Sequence, residues 1–283
     1  SSLLAHWTFD TVVDPATMED ATGNEELTAK ANVPVRRIHA VHGQGVLLSG
    51  NRALKVQLGE RLRDLSQVSF SAWVRPTELG SYREIFRQEC AERLLFSFQH
   101  DGTILSLGLN IGGYVECDAA VPPTVVLDGG WHHCAATFDG RWMRVYLEGN
   151  EVGRLERAGR IATNESVAAF IGSNGGSSEF LQGGLDDLQI HRVALTAQQI
   201  RTQYQAGAES IKQYLSSLAD ALPDVYQKSD SFAATLACIQ ERLTTVADTQ
   251  RRHDLAGLVL TRLKSDFPHE HEQFIALTEG SPL

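Results

Sequence analysis

Four cysteines in 283 residues, with no CxxC pair among them, are too few for a disulfide scaffold and do not form a zinc or thiol-redox motif. Basic charge is also short: 25 Lys+Arg stand against 35 Asp+Glu, a formal net charge of −10, and no basic run offers the concentrated positive face that a phosphate backbone needs. Nucleic acid is therefore excluded as a partner. No apolar run approaches the roughly 20 residues needed to cross a bilayer, and residues 1–7 lack the charged and apolar parts of a signal peptide. The expectation is either a cytosolic chain or one whose leader has been removed. Motifs of the common hydrolases are missing too: there is no ExDxxE-like run, GxSxG elbow, HExxH or Walker loop.

What is present divides near residue 207. Of the 24 glycines, 22 lie at or before it, punctuating short runs rich in Val, Ile, Phe, Tyr and Trp. Val68 to Val74 alternates, with Val68, Phe70, Ala72 and Val74 on one face and Ser69, Ser71 and Trp73 on the other, as a half-buried strand requires. Leu54 to Leu58, Ile104 to Leu109, Trp131 to Phe138, Trp142 to Leu147, Glu151 to Leu155 and Leu185 to His191 read as further strands, parted by turn pairs such as Asp101-Gly102 and Asp139-Gly140. About a dozen such strands, with no helices between them to carry parallel crossovers, predict an all-β antiparallel jelly-roll sandwich over residues 1–207.

Residues 208–283 change period. Ile211, Tyr214, Leu215, Leu218 and Leu222 make one helical stripe, Phe232, Leu236, Ile239, Leu243 and Val246 a second, and Leu255, Leu258, Val259, Leu263 and Phe267 a third. Pro223 is expected to end the first helix, Ser229 or Asp230 to cap the second, and Pro268 to open a short fourth one through Phe274 and Leu277. This small α-helical segment reads as a spacer or as the start of a further domain.

Landmarks within residues 4 to 207 resemble the bacterial laminin-G-like, concanavalin A-like jelly-roll family. They are Trp7-Thr8-Phe9-Asp10, Asp20 to Asn24, Gly43 to Gly50, Phe70 to Pro76, Trp131 to Gly140, Val145 to Gly149, Ile171 to Ser173 and Gly184 to His191. Two departures stand out: Cys134 replaces the usual valine, and Arg83 to Asp118 is longer and more polar than in the commonest members. The resemblance implies a secreted or periplasmic accessory domain that binds glycan without catalysis, commonly attached to a polysaccharide-degrading enzyme, so that a catalytic domain of the same polypeptide is an expected partner. It also implies a structural Ca2+, with Asp20 and Asp186 as side-chain ligands and Asn24, Gln44 and Gly45 contributing amide or backbone oxygens.

The polar segment from Tyr82 to Tyr114 carries the candidate ligand site. Sugar recognition combines an aromatic face with amides, carboxylates or arginines that bond hydroxyls, and Tyr82, Arg87, Arg93, Asn110 and Tyr114 supply these groups. Arg87 and Arg93 hint at an acidic sugar, although 20 of the 25 basic residues are arginine. A Cys90–Cys117 disulfide would stiffen this segment by roughly 3 to 4 kcal/mol if the chain is secreted. Cys134 and Cys238 read as buried thiols. His132 and His133, neighbours on a strand, point to opposite faces and read as structural; His269-Glu270-His271-Glu272 reads as a solvated helix end. The alternatives to glycan binding are a protein-interaction or adhesion face and, third, a glycosidase or lyase using Tyr114, Glu116 and Asp118.

Overall fold

The computed structural model describes residues 2–11, 14–62, 65–89, 93–162 and 167–270. Sixteen strands are present among them: β1 (Leu3–Trp7), β2 (Thr17–Met18), β3 (Ala29–Ala31), β4 (Arg36–His39), β5 (Gln44–Leu48), β6 (Leu54–Val56), β7 (Val68–Glu78), β8 (Tyr82–Gln88), β9 (Leu94–Gln99), β10 (Ile104–Asn110), β11 (Tyr114–Ala120), β12 (His132–Phe138), β13 (Trp142–Leu147), β14 (Asn150–Glu156), β15 (Ala169–Ile171) and β16 (Gln182–His191). They form two eight-stranded antiparallel sheets. One runs β14-β13-β12-β7-β16-β5-β4, with β1 also on β16; the other runs β11-β10-β9-β8-β15-β6-β3-β2. The expected all-β sandwich is therefore present.

Alternation builds the core between the sheets. Phe70, Ala72 and Val74 of β7 and Cys134, Ala136 and Phe138 of β12 meet Phe86, Phe96 and Leu107 of the opposite sheet, with Phe70 lying 5.3 Å from Phe86 and 6.1 Å from Phe96 between ring centroids. The second face of β7 was expected to be solvated and is not. Trp73, Ser69 and Ser71 are buried because the segment after β16 folds back over them: Ser69 Oγ donates to the Val193 carbonyl and accepts from the Leu195 N–H, while Leu195 and Ile200 pack on Ala135 and Tyr146. Gly207 completes this cover, since a Cβ there would collide with the Trp73 ring.

Four helices follow the strand order: a single turn α1 (Pro123–Val126), then α2 (Ala197–Val225), α3 (Phe232–Thr245) and α4 (Thr249–Asp266). The chain divides into two compact units, Ser1–Ala208 and Glu209–Leu283. Helix α2 begins inside the first unit, ten residues before the change of period, and it runs through Pro223 instead of ending there. Ser231, one position after the expected candidates, caps α3 by accepting the Ala234 N–H at 3.3 Å. The second unit has its own core of Leu218, Val225, Ile239, Leu255, Val259 and Leu263. Tyr214 donates to Asp254 at 2.6 Å and Tyr226 to Asp266 at 2.8 Å, so that α2 and α4 run parallel. Phe274, Leu277, His271 and Glu272 lie outside the described residues. Among the described residues no helix is long and apolar enough to cross a membrane.

Candidate functional site

A cavity of about 420 Å³ opens on the outer face of the second sheet, lined by Tyr82, Arg87, Arg93, Leu95, Gln99, His100, Glu116, Asp118 and Glu179. Strand register makes it. Glu84, Ser97, Ser106 and Asp118 stand in one cross-strand row, and Arg87, Leu95, Gly108 and Glu116 in the next. Serine, serine and glycine in the middle of these rows leave room above β9 and β10 while the outer strands supply long polar side chains. At Gly108 an added Cβ would collide with Tyr114 Oη and lie 2.8 Å from Leu95 Cγ, so the glycine lets the Tyr114 ring fold across the sheet.

A register shift between Glu84 and Phe86 puts Glu84 and Arg87 on the same face, while Ile85 and Phe86 both enter the core. Arg87 is consequently enclosed by carboxylates. Its Nη1 donates to Glu84 Oε1 at 2.7 Å and Glu179 Oε2 at 2.9 Å, and its Nε to Glu89 Oε2 at 2.6 Å. Arg93 donates to Glu89 Oε1 at 2.8 Å and lies 5.0 Å over the Tyr114 ring. Burial pushes the Glu84 carboxyl well above the usual carboxylate range; the nearby Glu179 adds to this and Arg87 opposes it. Burial also pushes Glu89 up, but the hydrogen bonds from Arg93 and Arg87 outweigh it and hold Glu89 low. Both guanidiniums are thus paired with carboxylates of the chain itself.

Two loops complete the wall. Glu179 and His100 both adopt left-handed backbone, at φ 55° and 49°, which is uncommon for residues other than glycine and costs on the order of 1 kcal/mol. Glu179 is pinned twice, its carbonyl accepting the Glu84 N–H at 3.1 Å and its carboxylate accepting from Arg87. Tyr82 is 42% exposed, with its ring 6.3 Å from that of His100, and Tyr114 is 39% exposed.

Of the expected ligand residues, the structure brings Tyr82, Arg87 and Arg93 into the cavity. Tyr114 stands beside it, donating to Glu116 Oε1 at 2.6 Å. Asn110 does not line it; its Oδ1 accepts the Gly113 N–H and shapes the β10–β11 turn. Glu179 was missed, and its only sequence signal is a short loop of Ser, Asn and Gly before β16. Cys117 is a free thiol buried between the sheets, near the Met143 carbonyl, and Cys90, its expected partner in a bridge, lies outside the described residues. Burial pushes the Cys117 thiol up to about 11.

The residues expected to hold calcium each have partners within the chain. Asp20 accepts the His6 N–H at 2.6 Å and the Thr22 hydroxyl, and Asn24 Oδ1 caps the short turn Glu25–Leu27 through the Glu26 N–H. Asp186 engages a different segment: Oδ2 accepts the His42 N–H at 2.9 Å, and Oδ1 is buried with no hydrogen-bond partner among the described residues. Gln44 contributes its backbone N–H, to Asp10 Oδ1 at 2.8 Å. Two carboxylates, Asp10 and Asp186, thus clip the turn from Ala40 to Gln44. Among the described residues no three His, Cys, Asp or Glu side chains form a metal-holding group. A cation here would rely on Asp186, Asp10 and backbone carbonyls, and the orphaned Asp186 oxygen fits that role.

The two histidines of the doublet have different surroundings. His132 sits between Asp128 and Glu148, 3.1 Å from each. His133 packs against Trp73 and Tyr204, with centroids 5.1 and 6.4 Å away. Burial lowers the His133 pKa to about 4, so it stays neutral.

No curated protein matches the sequence. Among solved structures, the fold is similar to domain 4 of AbnA, a GH43 extracellular arabinanase from Geobacillus stearothermophilus solved with arabinotriose: TM-score 0.58, 21% identity, covering 71% of this chain and 97% of that one. It is also similar to the binding domain of Paraclostridial Mosquitocidal Protein 1 (TM-score 0.55, 14% identity, 72% of this chain and 52% of that one). The binding domain of botulinum neurotoxin DC in complex with rat synaptotagmin II gives TM-score 0.56 at 13% identity, over 73% of this chain and 52% of that one. The chain thus spans about half the length of these two toxin domains. The family model matches residues 49–201, more than half of the sequence, and takes in β7 to β16 with the cavity-bearing strands. The chain belongs to the laminin-G-like branch of the concanavalin A-like lectin/glucanases superfamily.

Proposed function

We propose that the sandwich is a non-catalytic glycan-binding module whose site is the cavity over β8 to β11. The observation that carries this reading is the combination of an exposed ring, Tyr82, with hydrogen-bonding side chains converging on one cavity. A sugar face stacks on the tyrosine while Gln99, His100, Glu116, Asp118 and Glu179 bond its hydroxyls. Tyr114 spends its hydroxyl on Glu116, and Asp118 accepts the Ser106 hydroxyl at 2.6 Å, an arrangement suited to fixed acceptors. The arabinanase domain with the same fold supports an extracellular setting and attachment to a polysaccharide-degrading enzyme, since that protein is itself described as an extracellular arabinanase.

Calcium, in this reading, braces the turn from Ala40 to Gln44 through Asp186 and Asp10, some distance in sequence from the sugar-binding strands, and its part is structural.

The test is calorimetric titration of the whole chain with neutral arabino-, xylo- and gluco-oligosaccharides. Binding that falls roughly five- to tenfold in Tyr82→Ala and is restored in Tyr82→Phe is expected from loss and return of stacking. A folded chain that binds none of them, and no amino- or uronic-acid oligosaccharide either, removes the reading.

A further inference from the structure

We infer that the cavity selects a glycan bearing free amino groups, a de-N-acetylated hexosamine chain, over neutral and anionic sugars. This rests on the glycan-binding reading and names its ligand class.

The argument is one of charge placed by geometry. Four carboxylates, Glu89, Glu116, Asp118 and Glu179, surround two guanidiniums, Arg87 and Arg93, and Glu89 is shared by both arginines. The arginines are thereby spent, leaving an excess of negative charge at the opening. A uronate or sulfate entering here meets like charge and no free guanidinium. Glu116 and Asp118 each commit one oxygen, to Tyr114 and Ser106; Glu116 Oε2 and Asp118 Oδ2 have no hydrogen-bond partner among the described residues. These two oxygens come from β11 residues that share a face, at i and i+2, one row apart over Gly108 and Ser106.

Glu84, buried on the same sheet face beneath Arg87 and Glu179, is pushed well above the usual carboxylate range by burial and by Glu179, so the negative charge of the cavity lies with the wall carboxylates and not beneath them. A sugar ammonium supplies three donors and a positive charge, forming charge-assisted hydrogen bonds with the wall. The exposed ring of Tyr82 then takes the apolar sugar face, as any pyranose allows.

The experiment compares glucosamine tetramer, N-acetylglucosamine tetramer and galacturonate tetramer by titration calorimetry of the whole chain at about 50 mM salt, where surface charge is weakly screened. The expected order is glucosamine tightest, by roughly tenfold or more over the acetylated chain, with galacturonate weakest. The double variant Glu116→Gln, Asp118→Asn, checked for fold by circular dichroism, is expected to abolish the preference for glucosamine. Equal affinity for the amino and acetylated chains, or tighter binding of galacturonate, overturns the inference while glycan binding stands. Binding of spermine with no oligosaccharide bound overturns both the inference and the glycan reading.

Discussion

Arg87 Nη1 lies 2.7 Å from Glu84 Oε1, although the two residues are three apart on one strand, a spacing that in regular β structure sends side chains to opposite faces. The bulge at Ile85 turns them to the same side and buries the pair, with 8% and 1% of the side chains exposed. Arg87→Ala leaves Glu84 buried beside Glu179 without a cation and is expected to lower stability by about 3 to 5 kcal/mol. Adding Glu84→Gln should recover a large part of the loss. Urea unfolding of the single and double variants measures both; a single variant as stable as the parent would show that the pair is idle.

Gly108 gives the Tyr114 ring its place against the sheet beside the cavity. Gly108→Ala is expected to displace Tyr114 and Leu95 and to lower stability by about 1 to 3 kcal/mol through overpacking. Tyr114→Ala in the same chain relieves the contact with Tyr114 Oη, so the double variant should regain part of that stability; thermal melts of the pair decide it.

The buried His133 gives the fold an acid limit. Its folded-state pKa, about 4, lies below the ordinary histidine value, so the neutral form stabilises the fold fully above about pH 6.5 and this contribution is lost as pH falls toward 4. The size is about 3 kcal/mol. His191, lowered by burial and by His6, works in the same direction, and His132, raised by its carboxylate partners against the effect of burial, works in the opposite one. Melting temperature against pH should fall across this window, and His133→Phe, packed by Trp73 and Tyr204, should flatten the slope.

Asp186 ends with one oxygen satisfied and one orphaned. Millimolar calcium is expected to raise the melting temperature by several degrees, on the order of 1 kcal/mol or more. Asp186→Asn should abolish the rise, and Asp20→Asn should leave it. Loss of the calcium effect in Asp20→Asn alone would return the site to the residues first expected from the sequence.

Cys117 and Cys134 should both resist a thiol reagent at pH 8 in the folded chain, because burial raises each thiol and closes access. In a Cys90→Ser background, labelling of the half-buried Cys238 alone, by mass spectrometry, is the expected outcome.

The sandwich was legible because its signals are local. Alternation in Val68 to Val74, the turn pairs and the spacing of glycines each follow from backbone geometry within a few residues, and the change to helical period near residue 207 is equally local. The start of α2 was not legible, since residues 197–207 owe their helix to the Trp73 and Tyr146 surface that they cover. Tyr82, Arg87 and Arg93 could be chosen by composition of a polar segment, whereas Asn110 met the same criterion and serves a turn.

The sequence by itself determined an antiparallel β sandwich, a helical second unit, an acidic surface and a polar stretch suited to binding, because side-chain period and turn chemistry act over short range. Only the tertiary structure decided which of those polar groups are free. A single bulged residue pairs Arg87 with Glu84, register brings Leu95, Glu116 and Asp118 from different strands into one cavity, and a loop some ninety residues away supplies Glu179. Those relations depend on long-range pairing, and they turn a segment that looked ready for an anion into a cavity with its positive charge already taken.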